Sequence, residues 1–94
     1  MRLRFTARAA HDLTNIAEFI GKDNPRAAQR VRASIVDTLE VLRRFPRLGR
    51  PQSVEGVRKL ITRRYYYSIY YILDDPADQI VILTIRHRAQ APLG

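Results

Sequence analysis

The chain contains no cysteine. That excludes a disulfide scaffold, a thiolate zinc site, an iron–sulfur cluster and a cysteine nucleophile. Histidine is limited to His11 and His87, so few side chains can exchange a proton near neutral pH. No glycine-rich phosphate loop is present, and none of Ser34, Ser53 and Ser68 stands in a nucleophile-elbow setting or has a histidine near it in sequence. Long apolar runs are missing as well, so no segment is expected to span a bilayer. The opening residues Met1-Arg2-Leu3-Arg4-Phe5 lack the apolar block of a signal peptide. These absences predict a cytoplasmic protein that carries no metal and no cofactor.

What is present is a small, strongly basic core-forming sequence. Of 94 residues 46% are hydrophobic, which argues against disorder despite a net charge of +8. For this mass, scaling gives a folded surface of about 5,600 Å² against roughly 15,800 Å² for the open chain, so about two-thirds can be buried. That supports one core, and residues 1–94 are read as a single domain. Lysine is nearly absent from the 17 cations, which are arginine except for Lys22 and Lys59. Arginine is permanently charged and forks onto phosphates and carboxylates. A charge of this sign and size points to a polyanionic partner, either nucleic acid or an acidic protein.

The hydrophobic period changes once, near residue 45. Leu3 and Phe5 alternate as in a short strand, and Thr6 can cap a helix. Ala10, Leu13, Ile16, Ala17 and Ile20 recur at helical spacing, with Asp12 and Glu18 off the stripe. Asn24-Pro25 supplies an N-cap and a first-turn proline for a second helix, whose stripe is Ala28, Val31, Ile35, Leu39 and Leu42. So short a connection predicts an antiparallel helical hairpin. Phe45-Pro46-Arg47-Leu48-Gly49-Arg50-Pro51 breaks the helix, and a loop is expected to run to about Gly56. Three strands follow: Val57 to Arg63, Tyr66 to Leu73 and Gln79 to His87, with a tight turn at Arg64 and Tyr65 and another at Asp74-Asp75-Pro76-Ala77-Asp78. Ile80-Val81-Ile82-Leu83 is apolar on both parities and should be covered on both faces. The fold class is therefore α+β, an N-terminal strand and antiparallel helical hairpin packed on a C-terminal antiparallel sheet.

Candidate sites are few. His11, in the first turn of the first helix, reads as a solvated residue. His87 ends the most apolar strand between Arg86 and Arg88, and a neutral imidazole ringed by guanidinium groups can act on a phosphodiester. Asp74, Asp75 and Asp78 cluster in a turn, which is ordinary turn chemistry before it is a cation site. Basic and aromatic residues interleave from Arg58-Lys59 through Arg63-Arg64-Tyr65-Tyr66-Tyr67, a composition able to hold phosphates and stack bases. Strand alternation puts Tyr67 and Tyr71 on the face of Ile69, with Tyr66 and Tyr70 on the other.

The order of these elements carries a resemblance. Phe5-Thr6-Ala7-Arg8-Ala9-Ala10-His11-Asp12-Leu13, Asn24-Pro25, Phe45-Pro46-Arg47-Leu48-Gly49-Arg50-Pro51, Gly56-Val57-Arg58-Lys59-Leu60, Tyr67-Ser68-Ile69-Tyr70-Tyr71 and Ile82-Leu83-Thr84-Ile85-Arg86-His87 together resemble toxins of the ParE/RelE superfamily of bacterial type II toxin–antitoxin modules. The resemblance covers nearly the whole chain and is nearest to ParE, the plasmid stabilisation protein. It implies a ParD-like antitoxin partner with an acidic wrapping segment, a hetero-oligomer with that antitoxin, and DNA gyrase as the target, poisoned without chemistry. On that reading Arg63, Arg64, Arg86, His87 and Arg88 are target-binding residues and there is no catalytic set. The alternative implied is a ribosome-dependent mRNA endoribonuclease of RelE or YoeB type. Of the YoeB pattern only His87 matches; Gln52, Ser68 and Arg88 stand where a glutamate, an arginine and a tyrosine are expected. The RelE pattern would use Arg58, Lys59, Arg63, Arg86 and His87.

Overall fold

A computed structural model describes residues 1–87 and 90. Its elements are β1 (Arg2–Phe5), α1 (Ala7–Gly21), α2 (Pro25–Arg44), β2 (Arg50–Pro51), β3 (Arg58–Ile61), β4 (Tyr67–Asp74) and β5 (Gln79–His87). The helix boundaries follow from local chemistry. Thr6 is extended and its hydroxyl accepts the Ala9 amide at 3.0 Å, while donating to the Leu83 carbonyl at 2.8 Å. One side chain thus caps α1 and fastens its start to β5. Asn24 caps α2 by accepting the Ala27 amide at 3.1 Å, and Pro25 takes the first helical position where no amide partner is needed.

The five strands form one sheet in the order β1-β5-β4-β3-β2. The three long C-terminal strands pair antiparallel, as their short connections require. The sheet as a whole is mixed, because β1 lies parallel to β5, with Leu3 beside Ile80 and Phe5 beside Ile82. The C-terminal sheet is antiparallel as expected, and the N-terminal strand joins it in parallel, because the two helices carry the chain far enough from β1 for a strand to return alongside it in the same direction. β2 is a two-residue strand inside the stretch read as loop, paired through Arg50 with Lys59 and Pro51 with Arg58. Its proline and its shortness conceal it from any periodicity.

The core lies between the helical hairpin and one sheet face. Val31, Ile35, Leu39 and Leu42 of α2 are buried with Tyr67, Ile69, Tyr71, Ile80, Ile82 and Ile85, in agreement with the stripe and the strand alternation. The stripe of α1 holds at Leu13, Ile16, Ala17 and Ile20 and differs in its first turn, where Ala9 is fully buried and Ala10 is exposed. The Thr6 cap fixes the phase of that helix, and it turns Ala9 toward β5. Ile80, Val81 and Ile82 are all buried, as a strand apolar on both parities should be. A bulge displaces the β4–β5 register between Tyr70 and Tyr71, so that Tyr70 faces Thr84 and Tyr71 faces Ile82. Among the described residues no helix is long and apolar enough to cross a membrane.

Candidate functional site

One end of the sheet gathers most of the proposed target-binding groups. The β3–β4 register pairs Ile61 with Ser68, and the Thr62 amide donates to the Tyr67 carbonyl at 2.8 Å. The tip is therefore the four residues Arg63, Arg64, Tyr65 and Tyr66, longer than the two-residue turn expected at Arg64 and Tyr65. Thr62, 1% exposed, holds it: its hydroxyl donates to the Arg64 carbonyl at 2.6 Å and accepts the Tyr67 amide at 3.1 Å. Arg63 and Arg64 are exposed. β5 ends beside the tip, with Arg86 opposite Ser68 and His87 opposite Tyr67. The imidazole of His87 meets the Tyr67 ring edge-on, at 5.2 Å between centroids and 70° between planes. Burial pushes the Tyr67 phenol above its ordinary pKa. Arg63, Arg64, Arg86 and His87 therefore share one end of the molecule, while Arg88 lies outside the described residues.

Arg58 and Lys59 lie further along β3, on opposite faces. Arg58 pairs with Tyr71 on the core side and donates through Nη1 to the carbonyls of Arg47 at 3.1 Å and Gly49 at 2.8 Å. The Tyr71 hydroxyl completes this node, donating to the Pro46 carbonyl at 2.7 Å and accepting the Gly49 amide at 2.8 Å. Burial raises the Tyr71 pKa, partly offset by the Gly49 amide and the Arg58 charge. Gly49 is needed here because a Cβ would collide with the Tyr71 ring, which is fully buried and has nowhere to go. Lys59 pairs with Tyr70 on the other face, its ammonium 6.0 Å from that ring's centroid. Gln52 is occupied within its own loop, donating to the carbonyls of Arg50 at 2.8 Å and Pro51 at 3.2 Å.

His11 is exposed on α1. In the acidic turn Asp74 accepts the Ala77 amide and Asp75 pairs with Arg47 at 3.6 Å. Among the described residues no group of three or more histidine, cysteine, aspartate or glutamate side chains is arranged to hold a metal ion. Asp12, read as lying off the helix stripe, has a structural role instead. Its Oδ2 accepts the Thr84 hydroxyl at 2.5 Å and the Ile85 amide at 3.0 Å, and Oδ1 meets Arg8 at 3.1 Å. It closes the edge of β5 beyond the last residue paired with β1.

Two grooves flank the helices. One of about 750 Å³ lies between α2 and the β3 side of the sheet, with Val41, Leu48, Leu60 and Ile61 on its walls and Arg30 and Arg63 among its lining residues. The other, about 670 Å³, runs between α1 and α2 over Leu13, Ile16, Ile35 and Leu39. The outer edge of β1 carries Arg2 and Arg4, both exposed.

The described residues thus form a two-helix hairpin on a five-stranded mixed sheet, with a cationic sheet end, two grooves beside the helices and β1 at one edge of the sheet. The chain belongs to the family described as the ParE toxin of the type II toxin–antitoxin system, parDE, whose model matches residues 3–92. It is 36% identical over 89 residues to the Sinorhizobium fredii protein Y4kP, covering 95% of this chain and 90% of that one. It is 34% identical over 86 residues to Toxin RelE2 of Caulobacter vibrioides, covering 92% and 93%. Among solved structures it is similar to the chromosomal ParDE system of P. aeruginosa, with a TM-score of 0.80, 30% identity and coverage of 93% and 95%. It is also similar to the RelBE2 toxin–antitoxin complex of Mycobacterium tuberculosis, with a TM-score of 0.62, 32% identity and coverage of 93% and 96%.

Proposed function

We propose that this toxin acts by binding and poisoning DNA gyrase, the ParE mode, and is neutralised by a co-encoded ParD-like antitoxin. The observation that carries this reading is that Arg58 and Lys59, two of the five residues the ribonuclease pattern would use, stand apart from Arg63, Arg86 and His87. The Arg58 guanidinium is spent on two loop carbonyls on the core side, whereas Lys59 projects from the opposite face. Arg63, Arg64, Arg86 and His87 form a contact surface at the sheet end, suited to stabilising a complex between gyrase and cleaved DNA. The antitoxin would dock on the β1 edge and in the two grooves, by strand addition and helix-in-groove contacts. Its acidic segment complements the net charge of +8, which accelerates association with the right partner. A hetero-oligomer with that antitoxin, acting in plasmid stabilisation in the cytoplasm, follows from the same reading.

A second reading is favoured by the 34% identity to Toxin RelE2 and by the convergence of Arg63, Arg86 and His87 at one sheet end. It is a ribosome-dependent mRNA endoribonuclease. The two are separated by adding the purified toxin to a gyrase supercoiling reaction and by primer extension on transcripts after induction. Inhibition or trapped cleavage with intact transcripts supports the gyrase reading. Codon-phased cuts abolished by His87→Ala, with no effect on gyrase, replace it with the second.

A further inference from the structure

The tip between β3 and β4 holds two successive bulky residues in the left-handed region, Tyr65 at φ 68° and Tyr66 at φ 56°. That conformation suits glycine or asparagine and is costly for an aromatic side chain. For Tyr65 packing explains the choice, since its half-buried ring lies against the core cluster. Tyr66 is 54% exposed, so core packing does not account for a tyrosine there. The tip is held firmly all the same. The Arg64 carbonyl takes the Thr62 hydroxyl at 2.6 Å and the Ser34 hydroxyl at 3.5 Å, and the Tyr67 amide is bound to Thr62. The result is a half-exposed tyrosine on a firmly held turn of backbone, preceded by two exposed arginines.

We propose that the tip Arg63–Tyr66 is a contact for single-stranded nucleic acid, with Tyr66 stacking on an unpaired base and Arg63 and Arg64 taking the phosphates on either side. A ring plus neighbouring cations is the combination that binds single strands with little regard to sequence. An acidic peptide would be served by the guanidinium groups alone and gains nothing from a ring kept in a strained backbone. A duplex keeps its base faces stacked inside, where the ring has no access. The inference deepens the proposed function and rests on it, since both place the toxin at a machine that holds nucleic acid open.

The test is fluorescence anisotropy of the full-length toxin with labelled short oligo(dT), with the matching duplex and with a labelled poly-glutamate peptide. Tyr66→Gly should melt at or above the parent temperature, because it removes a side chain from a left-handed position. It should nevertheless bind oligo(dT) about ten-fold or more weakly, the size of one lost stacking contact. Tyr66→Phe should bind like the parent. Arg63→Ala with Arg64→Ala should weaken binding and flatten its salt dependence. Parent-like binding by Tyr66→Gly overturns the proposal, as does equal affinity for duplex, or a loss confined to poly-glutamate. The gyrase reaction is scored separately. Oligo(dT) binding without gyrase poisoning leaves this contact standing and removes the gyrase reading, and poisoning without oligo(dT) binding does the reverse.

Discussion

The hydroxyl of Tyr71, at the middle of the sheet, accepts the amide of Gly49 at 2.8 Å, across 22 positions of sequence. The same oxygen donates to Pro46, so one phenol ties the loop that precedes β2 to the central strand. Tyr71→Phe keeps the ring and removes both bonds. Leaving the Gly49 amide and the Pro46 carbonyl without this partner should cost about 1–3 kcal/mol. Each kcal/mol appears as a fall of roughly 4–8 °C in melting temperature for a domain of this size. Gly49→Ala should cost more than Tyr71→Phe, because the added methyl meets a buried ring. Calorimetry on the two variants checks the order, and a harmless Gly49→Ala would contradict the packing described.

Asp12 links stability to acid. Burial raises its pKa, but the Thr84 hydroxyl, the Ile85 amide and Arg8 outweigh that and hold it below its ordinary value of 3.8. A carboxylate lowered in this way contributes stability that is complete above 3.8 and is lost as pH falls through its folded value. Asp12→Ala should cost about 1–3 kcal/mol at neutral pH, by leaving Thr84 and Ile85 without their acceptor. The gap between the urea midpoints of parent and variant should hold steady down to pH 3.8 and shrink below it. A gap that stays constant in stronger acid refutes the role.

Thr62 is the lock of the β3–β4 tip. Thr62→Val preserves its volume and removes the bonds to Arg64 and Tyr67. Stability should fall by about 1–3 kcal/mol, and hydrogen exchange at the Tyr67 amide should quicken. Thr62→Ser should restore slow exchange, because it returns the hydroxyl. If the valine variant protects Tyr67 as well as the parent does, the tip is held by something other than this side chain.

Arg58 and Arg63 should separate structure from target contact. Arg63 is exposed, so Arg63→Ala should change stability by no more than about 0.5 kcal/mol while weakening growth arrest on induction. Arg58→Ala should lower the melting temperature, because the carbonyls of Arg47 and Gly49 lose their donor. Melting curves alongside growth curves distinguish the two. Full toxicity in a destabilised Arg58→Ala together with full toxicity in Arg63→Ala would place the target contact elsewhere.

The local parts of this fold are legible in the sequence because their causes are local. Thr6, Asn24 and Pro25 announce the helix starts by side-chain chemistry, and the α2 stripe of Val31, Ile35, Leu39 and Leu42 is a plain matter of spacing. The misread features depend on partners distant in sequence. Asp12 looks like a solvated helix residue until β5 is laid beside it, 72 positions later. Parallel pairing of β1 with β5 has no local signal, nor does the bulge that separates Tyr70 from Tyr71. The full length of the tip has no sequence signal either, because Tyr65-Tyr66 lacks the glycine or asparagine that marks a left-handed turn. The candidate site was legible as composition, and only the register showed that Arg86 and His87 join the tip while Arg58 turns away.

The two edges of the sheet are unlike. β2 ends the sheet after two residues, one of them Pro51, which has no amide hydrogen to offer a further strand. Among the described residues no strand pairs with the outer side of β1, and Arg2 and Arg4 there would bring like charges together if a second copy paired through the same edge. The molecule can therefore be lengthened by a strand on one side only, and by a chain unlike itself. The consequence is directional: like charges oppose the pairing of two copies through β1, while an oppositely charged strand meets no such barrier.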